Sequence, residues 1–207
     1  MGTVDSQTPF ALTALDRQLL AMTDEEFEAH DWENLRDIIA RNDLAALKRK
    51  PSDLRRYLAW SADTKAQYGS IMNYICQRRL QWPMSGPVPN NPRPFADPED
   101  YRILRNDWPY GLSPGIEHFV VWLRTPIPVK SEEGHLTAES SALIEGFVKE
   151  KFVARLAEDA RFPTPESHVL WFKNPRILQS VQALEHLHVL VKDVPDDILY
   201  EWSGESR

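Results

Sequence analysis

His186 and His188 stand two apart in the alternating run HLHVLV. Side chains two apart in a strand leave on one face, so both imidazoles are expected to point the same way. A neutral imidazole can shuttle protons or hold a metal. A metal centre needs a third ligand, and no spacing fixes His118 or His168 beside the pair, so the expectation is a site without metal or other cofactor. A half-buried, hydrogen-bonded histidine pair is the plainer alternative. Past Pro195 the chain reads DDILYE. In a helix Asp197 and Glu201 would sit one turn apart on the same side, next to Asp196. Carboxylates so grouped hold guanidinium or ammonium groups and, with a raised pKa, accept a proton from an attacking amine. The same residues also suit ordinary capping of a final helix.

Further candidates surround this stretch. Asn106-Asp107-Trp108, followed by Pro109 and Tyr110, brackets polar groups with large rings, as ligand pockets and packed turns both do. Trp122 and Trp171 fall on neighbouring strand segments as core residues, either of which can line a pocket for a planar group. Lys48, Arg49, Lys50, Arg55 and Arg56 cluster on one stretch, and Arg78 and Arg79 follow on another. They read as a solvated helix face or as a patch for an RNA backbone. A formal charge of −7 excludes wholesale electrostatic capture of nucleic acid.

The elements that must position these groups divide at a proline-rich stretch. Residues 1–9 are expected to be disordered. Residues 10–81 carry helical apolar spacing: Leu12 to Leu20, a capping-box pattern at Thr23 and Glu26 that opens another helix, Trp32 to Ile39, and a restart at Pro51 that continues through Ile75 and Leu80. Residues 82–98, WPMSGPVPNNPRPFADP, sustain neither helix nor central strand and form a connector. Residues 99–207 read as a strand over 115–124, a helix capped by Thr137, a strand ending at Phe172, a crossing segment, and the histidine strand. The predicted class is α+β, with helices packed on a small, mainly antiparallel sheet.

The 207 residues, 42% hydrophobic and 27% charged, suit one compact unit. No apolar run matches a membrane span, and the N-terminus has no signal-like segment, although MGTVDS fits the loose myristoylation pattern. The single Cys76 excludes an internal disulfide and agrees with a reducing compartment, so a cytosolic protein is expected. Nucleophile-elbow, phosphate-loop, dinucleotide and zincin motifs are absent.

The blocks WENLRDIIARNDL, KRKPSDLRRYLAW, YGSIMNYICQRRLQW, ILRNDWPYG, GIEHFVVWLRTPIP, HVLWFKNPRILQSV and HLHVLVKD together resemble the fungal proteins of the N-acetylglucosamine-induced protein 1 type, a domain of unknown function. That family is similar to the fungal arginine-containing cyclodipeptide synthases, which join aminoacyl groups from charged tRNAs. The resemblance implies such an activity, with arginyl-tRNA and a second charged tRNA as partners. Asp196, Asp197 and Glu201 match the acidic motif associated with it, here spaced as DDILYE. In that scheme His186 or His188 shuttles protons and Asn174 donates to the oxyanion. Trp122, Trp171, His118 and residues 106–108 line the substrate pocket, and the basic residues touch tRNA. A fainter resemblance, through HFVVWLRTPIP and QSVQALEHLHVLV, is to histidine-triad hydrolases. It implies a similar sheet with His186 as nucleophile, but Leu184 stands where the first histidine of the triad belongs. A non-catalytic cytosolic binding protein of the fungal amino-sugar response is the remaining expectation.

Overall fold

The computed structural model describes residues 12–83, 88–130 and 134–206. The expectations for residues 1–9, for Gly2 and for residues 84–87 of the connector lie outside these. α1 (Ala14–Ala21) starts at a Thr13–Asp16 capping box, and α2 (Trp32–Ala40) starts at an Asp31 cap and buries Trp32, Leu35 and Ile38. α3 (Pro51–Tyr68) ends at Gly69 in the left-handed conformation. α4 (Ile71–Tyr74) then begins at a Ser70 cap and runs on through a π-helical turn at Ile75–Leu80.

One helix expected from the sequence does not form. Thr23 donates its backbone N–H to Glu26 at 2.8 Å, as a capping box requires, yet the following residues bend instead of coiling. Asp24 accepts the Ser52 N–H at 2.9 Å and pairs with Lys50 at 3.1 Å, so it caps the start of α3 rather than its own segment.

The sheet has four antiparallel strands, β1 (Tyr101–Arg105), β2 (Ile116–Leu123), β3 (Val169–Phe172) and β4 (Glu185–Lys192), in the order β1-β2-β4-β3. β1 was not anticipated as a strand. It is an edge strand with Leu104 its one buried residue, so it lacks a strong alternating signal. Between β2 and β3 come α5 (Ala138–Val148), a π-helical turn (Lys149–Val153) and α6 (Ala154–Ala157). α7 (Asp196–Ser203) follows β4.

Strand alternation gives the sheet two faces. Phe119, Val121, Leu123, Leu187, Val189 and Val191 point to one, where they bury with Ile144, Phe147, Phe152, Leu156, Ile198 and Leu199 from α5, the turn after it, α6 and α7. Burying each such side chain is worth about 1.5–3 kcal/mol. The other face meets the N-terminal helices: Leu104, Val120 and Trp122 pack on Ile71, Ile75 and Leu80, while Ile116, Phe172 and Leu190 pack on Trp32, Leu35 and Ile38. The architecture is therefore α+β, with the sheet between two helical layers. The described part of the connector is fixed by Asp100, which is buried and accepts the N–H groups of Asn90 and Asn91, each at 2.8 Å. No helix among the described residues is long and apolar enough to cross a membrane.

Candidate functional site

The strand register places Val120 opposite His188, Trp122 opposite His186 and His118 opposite Leu190, so the three imidazoles share the face turned to the N-terminal helices. Between the apolar clusters of that face lies a cavity of about 120 Å³. His186, His188 and Trp122 line it from the sheet. Tyr57 and Trp60 line it from α3, Arg49 from the segment before α3, Asn106, Trp108 and Tyr110 from the β1–β2 loop, and Asn174 from the loop that joins β3 to β4.

The histidines form an ordered chain. His118 Nε2 and His188 Nδ1 are 3.0 Å apart, and the Asn174 amide nitrogen lies 3.2 Å from both His188 Nε2 and the Tyr110 hydroxyl. With the amide nitrogen so assigned, His188 accepts at Nε2 and donates Nδ1–H to His118, and both rings are neutral. Burial pushes the His118 pKa down to about 3, helped by the charge of Arg49. His188 is also held well below its ordinary value, by burial first and then by His118, His186 and Arg49.

His186 differs from its neighbours. Its Nδ1–H donates to the Leu184 carbonyl at 2.9 Å, and its ring centre lies 4.7 Å from that of Trp122, the two planes tilted by 36°. Burial lowers its pKa, while the Leu184 carbonyl and Glu185 oppose the shift. The ring thus presents the Nε2 lone pair in a side chain that lines the cavity. Two further polar atoms there are buried without a hydrogen bond, Asn174 Oδ1 and Trp108 Nε1. Asn174 is only 4% exposed, so a carbonyl left in this state costs about 1–3 kcal/mol unless a ligand or water satisfies it.

Arg49 brings the charge. His30 donates Nδ1–H to Asn34 at 2.6 Å, and its Nε2 accepts the Lys48 N–H at 3.2 Å. Gly111 donates its N–H to the Lys48 carbonyl at 2.9 Å. A Cβ at Gly111 would lie 2.4 Å from the Phe27 ring, so the close approach that fixes this segment needs glycine. The Arg49 guanidinium then lies 4.3 Å from the Tyr57 ring centre, with Nε donating to the Trp108 carbonyl at 3.2 Å. Among the described residues no carboxylate pairs with it. Arg79, at the mouth, is engaged by Asp107 at 2.9 Å and by Glu205.

The structure gathers some sequence candidates and separates others. His118, His186, His188, Asn174, Trp122, Asn106, Asp107, Trp108, Arg49 and Arg79 all stand in or directly beside the cavity. Asp196, Asp197 and Glu201 do not. Ile198 and Leu199 seat α7 on the opposite sheet face, leaving the three carboxylates exposed; Glu201 pairs with Arg155 at 2.8 Å and Asp197 lies 3.8 Å from Arg161. Trp171, opposite Val189, also faces away from the histidines. The remaining basic residues are dispersed: Lys48 lies 5.8 Å from the Phe27 ring centre, Lys50 pairs with Asp24, Arg55 holds the Leu20 and Met22 carbonyls, Arg56 pairs with Asp53, and Arg78 is exposed. Tyr57 and Trp60 were not among the sequence candidates, and Tyr110 entered only as the end of the Asn106–Tyr110 motif. The aromatic pair three apart on α3, just after Arg49, was the available signal.

The comparisons with known proteins give two relatives and one solved structure, none of whose names states an activity. "Uncharacterized protein YPL067C" of Saccharomyces cerevisiae is 30% identical over 190 residues, covering 84% of this chain and 91% of that protein. "N-acetylglucosamine-induced protein 1" of Candida albicans is 28% identical over 188 residues, covering 82% and 71%. The solved structure "Crystal Structure of HTC1" superposes with a TM-score of 0.62 at 28% identity, covering 81% of this chain and 86% of that one. Residues 31–192 match the model of the "Protein of unknown function (DUF3605)", which takes in the sheet and every residue that lines the cavity, and the chain belongs to that family.

Proposed function

We propose that the cavity binds a small anionic ligand with a planar ring, of nucleotide type, and that His186 acts on it as a nucleophile. The observation that carries this reading is the hydrogen bond from His186 Nδ1–H to Leu184, which leaves Nε2 as a lone pair in the cavity wall. Arg49, which meets no carboxylate among the described residues, offers a guanidinium for the anion, and Trp60, Trp108 and Trp122 offer faces for the ring. Nε2 would attack phosphorus as the bond to the leaving group breaks. The leaving group departs with the electron pair and takes a proton from water at the mouth. A second water then cleaves the nitrogen–phosphorus bond and restores the imidazole. Adenosine 5′-phosphoramidate tests this directly. AMP release by the native protein, lost in a folded His186→Ala variant, supports it. Binding without release reduces the reading to a ligand-binding protein, and neither binding nor release rejects it.

A second reading is an aminoacyl-tRNA-dependent cyclodipeptide synthase. It draws on the presence of Arg49 and Arg79 at the same cavity, since a charged tRNA ends in an adenosine carrying an activated ester beside a phosphate backbone. In this reading the exposed Asp197 and Glu201 serve a tRNA or a second substrate away from the histidines. Incubation with arginyl-tRNA and other charged tRNAs, followed by mass spectrometry for cyclic dipeptides, decides it. A cyclo-arginyl product abolished by ribonuclease would displace the nucleotide reading.

A further inference from the structure

Two residues that are not part of the cavity lining bracket it. Lys173 directly precedes Asn174, and Glu185 directly precedes His186. Their side chains, 5% and 17% exposed, meet at 3.0 Å. Glu185 is further fixed by the Ile127 N–H, which donates to its second oxygen at 3.0 Å, and by the His186 N–H at 3.3 Å. Between the two residues runs loop 174–184, whose Asn174, Leu178, Gln179, Ser180 and Val181 line the cavity. The ion pair is therefore the seam that closes this loop, and each half sits one peptide from a group the ligand would meet.

We propose that Lys173 and Glu185 are positioning residues that hold Asn174 and His186 at their spacing and balance charge beside the His186 ring. A buried ion pair contributes little net stability compared with an apolar pair of similar shape, so its value lies in geometry and in the field it sets. The charged or titratable groups that act on His186 are Glu185, Lys173 and the neighbouring His188, whose ring centre is 5.5 Å away. Because Lys173 repels and Glu185 attracts a proton on His186, cutting either half unbalances the ring in opposite directions.

The test is the titration of the histidine ring nitrogens by ¹⁵N NMR in the full chain, which needs no ligand. Lys173→Met is expected to raise the His186 midpoint by roughly one unit, and Glu185→Gln to lower it by a similar amount. Lys173→Arg should restore the native value. A purely structural pair would lower the unfolding midpoint in both variants without opposite shifts. Shifts of one sign, or none, overturn the proposal. The double variant Lys173→Met/Glu185→Gln removes both charges and avoids leaving either buried alone. It should return the midpoint close to native while still moving the cross-peaks of Asn174, and unmoved cross-peaks also count against the proposal. The proposal rests on the nucleotide reading only for its effect on turnover. Opposite shifts with neither AMP binding nor AMP release would sustain the positioning role and reject that reading.

Discussion

The two faces of one sheet are built to different rules. On the face covered by α5, α6 and α7 the strands present Phe119, Val121, Leu187, Val189 and Val191, which pack into an apolar core. On the face covered by α1–α4 the same strands present His118, His186 and His188. Close packing is obeyed on the first face. On the second it is interrupted by a cavity with an unsatisfied carbonyl, an unsatisfied indole N–H and a guanidinium that no carboxylate among the described residues meets. Under the proposed function, stability and ligand recognition are divided between opposite sides of strands β2 and β4. Two of the conflicts between burial and polarity, at Asn174 and Trp108, lie in the cavity, where a ligand can relieve them.

The division is broken most severely from the dry side. Phe152 is fully buried among Phe119, Phe147 and Trp202. Phe152→Ala is expected to cost about 3–5 kcal/mol of stability, measured by urea unfolding. If the faces are independent, the fraction that remains folded should bind AMP with native affinity. On the polar side the order reverses: Arg49→Ala should weaken AMP binding about 30-fold, roughly 2 kcal/mol, by calorimetry while shifting the unfolding midpoint little. An Arg49→Ala variant that unfolds but binds normally would erase the distinction.

Sequence order revealed one half of this arrangement and misled on the other. The HLHVLV alternation was enough to place both histidines on one face, because strand periodicity is local. The apolar stripe from Leu143 to Leu156 likewise gave the helix that covers the opposite face. The acidic residues were grouped with the histidines because they follow them in the chain. At Asp193, which adopts φ +55° and donates its N–H to the Gly115 carbonyl at 2.8 Å, the chain leaves β4, and α7 docks on the far face. The cavity itself had no local signature. Arg49, Tyr57, Trp108 and Asn174 come from separate segments that meet only through tertiary packing, and Gly111 and His30, which place Arg49, carry no pattern that points to it.

Acid sharpens the comparison, since the polar face alone buries neutral imidazoles. The sign follows from proton uptake: His118 has a pKa of about 3 when folded against 6.5 ordinarily, so below 6.5 the unfolded chain binds a proton that the folded chain refuses. Stability is complete above pH 6.5 and falls toward pH 3. The slope is about 1.4 kcal/mol per pH unit for each such histidine while the gap lasts. Urea midpoints measured between pH 7 and 4.5 should show this fall, and His118→Gln, which keeps an acceptor for His188, should flatten it. An unchanged slope would mean that His118 is protonated in the folded state and that the neutral chain from Asn174 to His118 is wrong.

The smallest effect is expected from the residues that looked most catalytic in sequence. Asp197 and Glu201 are 68% and 53% exposed at the side chain, and the groups they meet, Arg161 and Arg155, belong to the same outer layer. Exposed pairs of this kind are screened by water and salt and contribute little to folding. Asp197→Asn with Glu201→Gln should leave the unfolding midpoint, AMP affinity and any AMP release within error of native, because α7 meets the sheet through Ile198 and Leu199 on the face away from the cavity. The charged-tRNA assay on the same double variant carries the opposite expectation under the synthase reading, in which these carboxylates are indispensable. A variant silent in nucleotide binding but defective in forming a cyclic dipeptide would show that the outer face carries chemistry of its own, and that the division between a structural face and a functional one ends at the sheet.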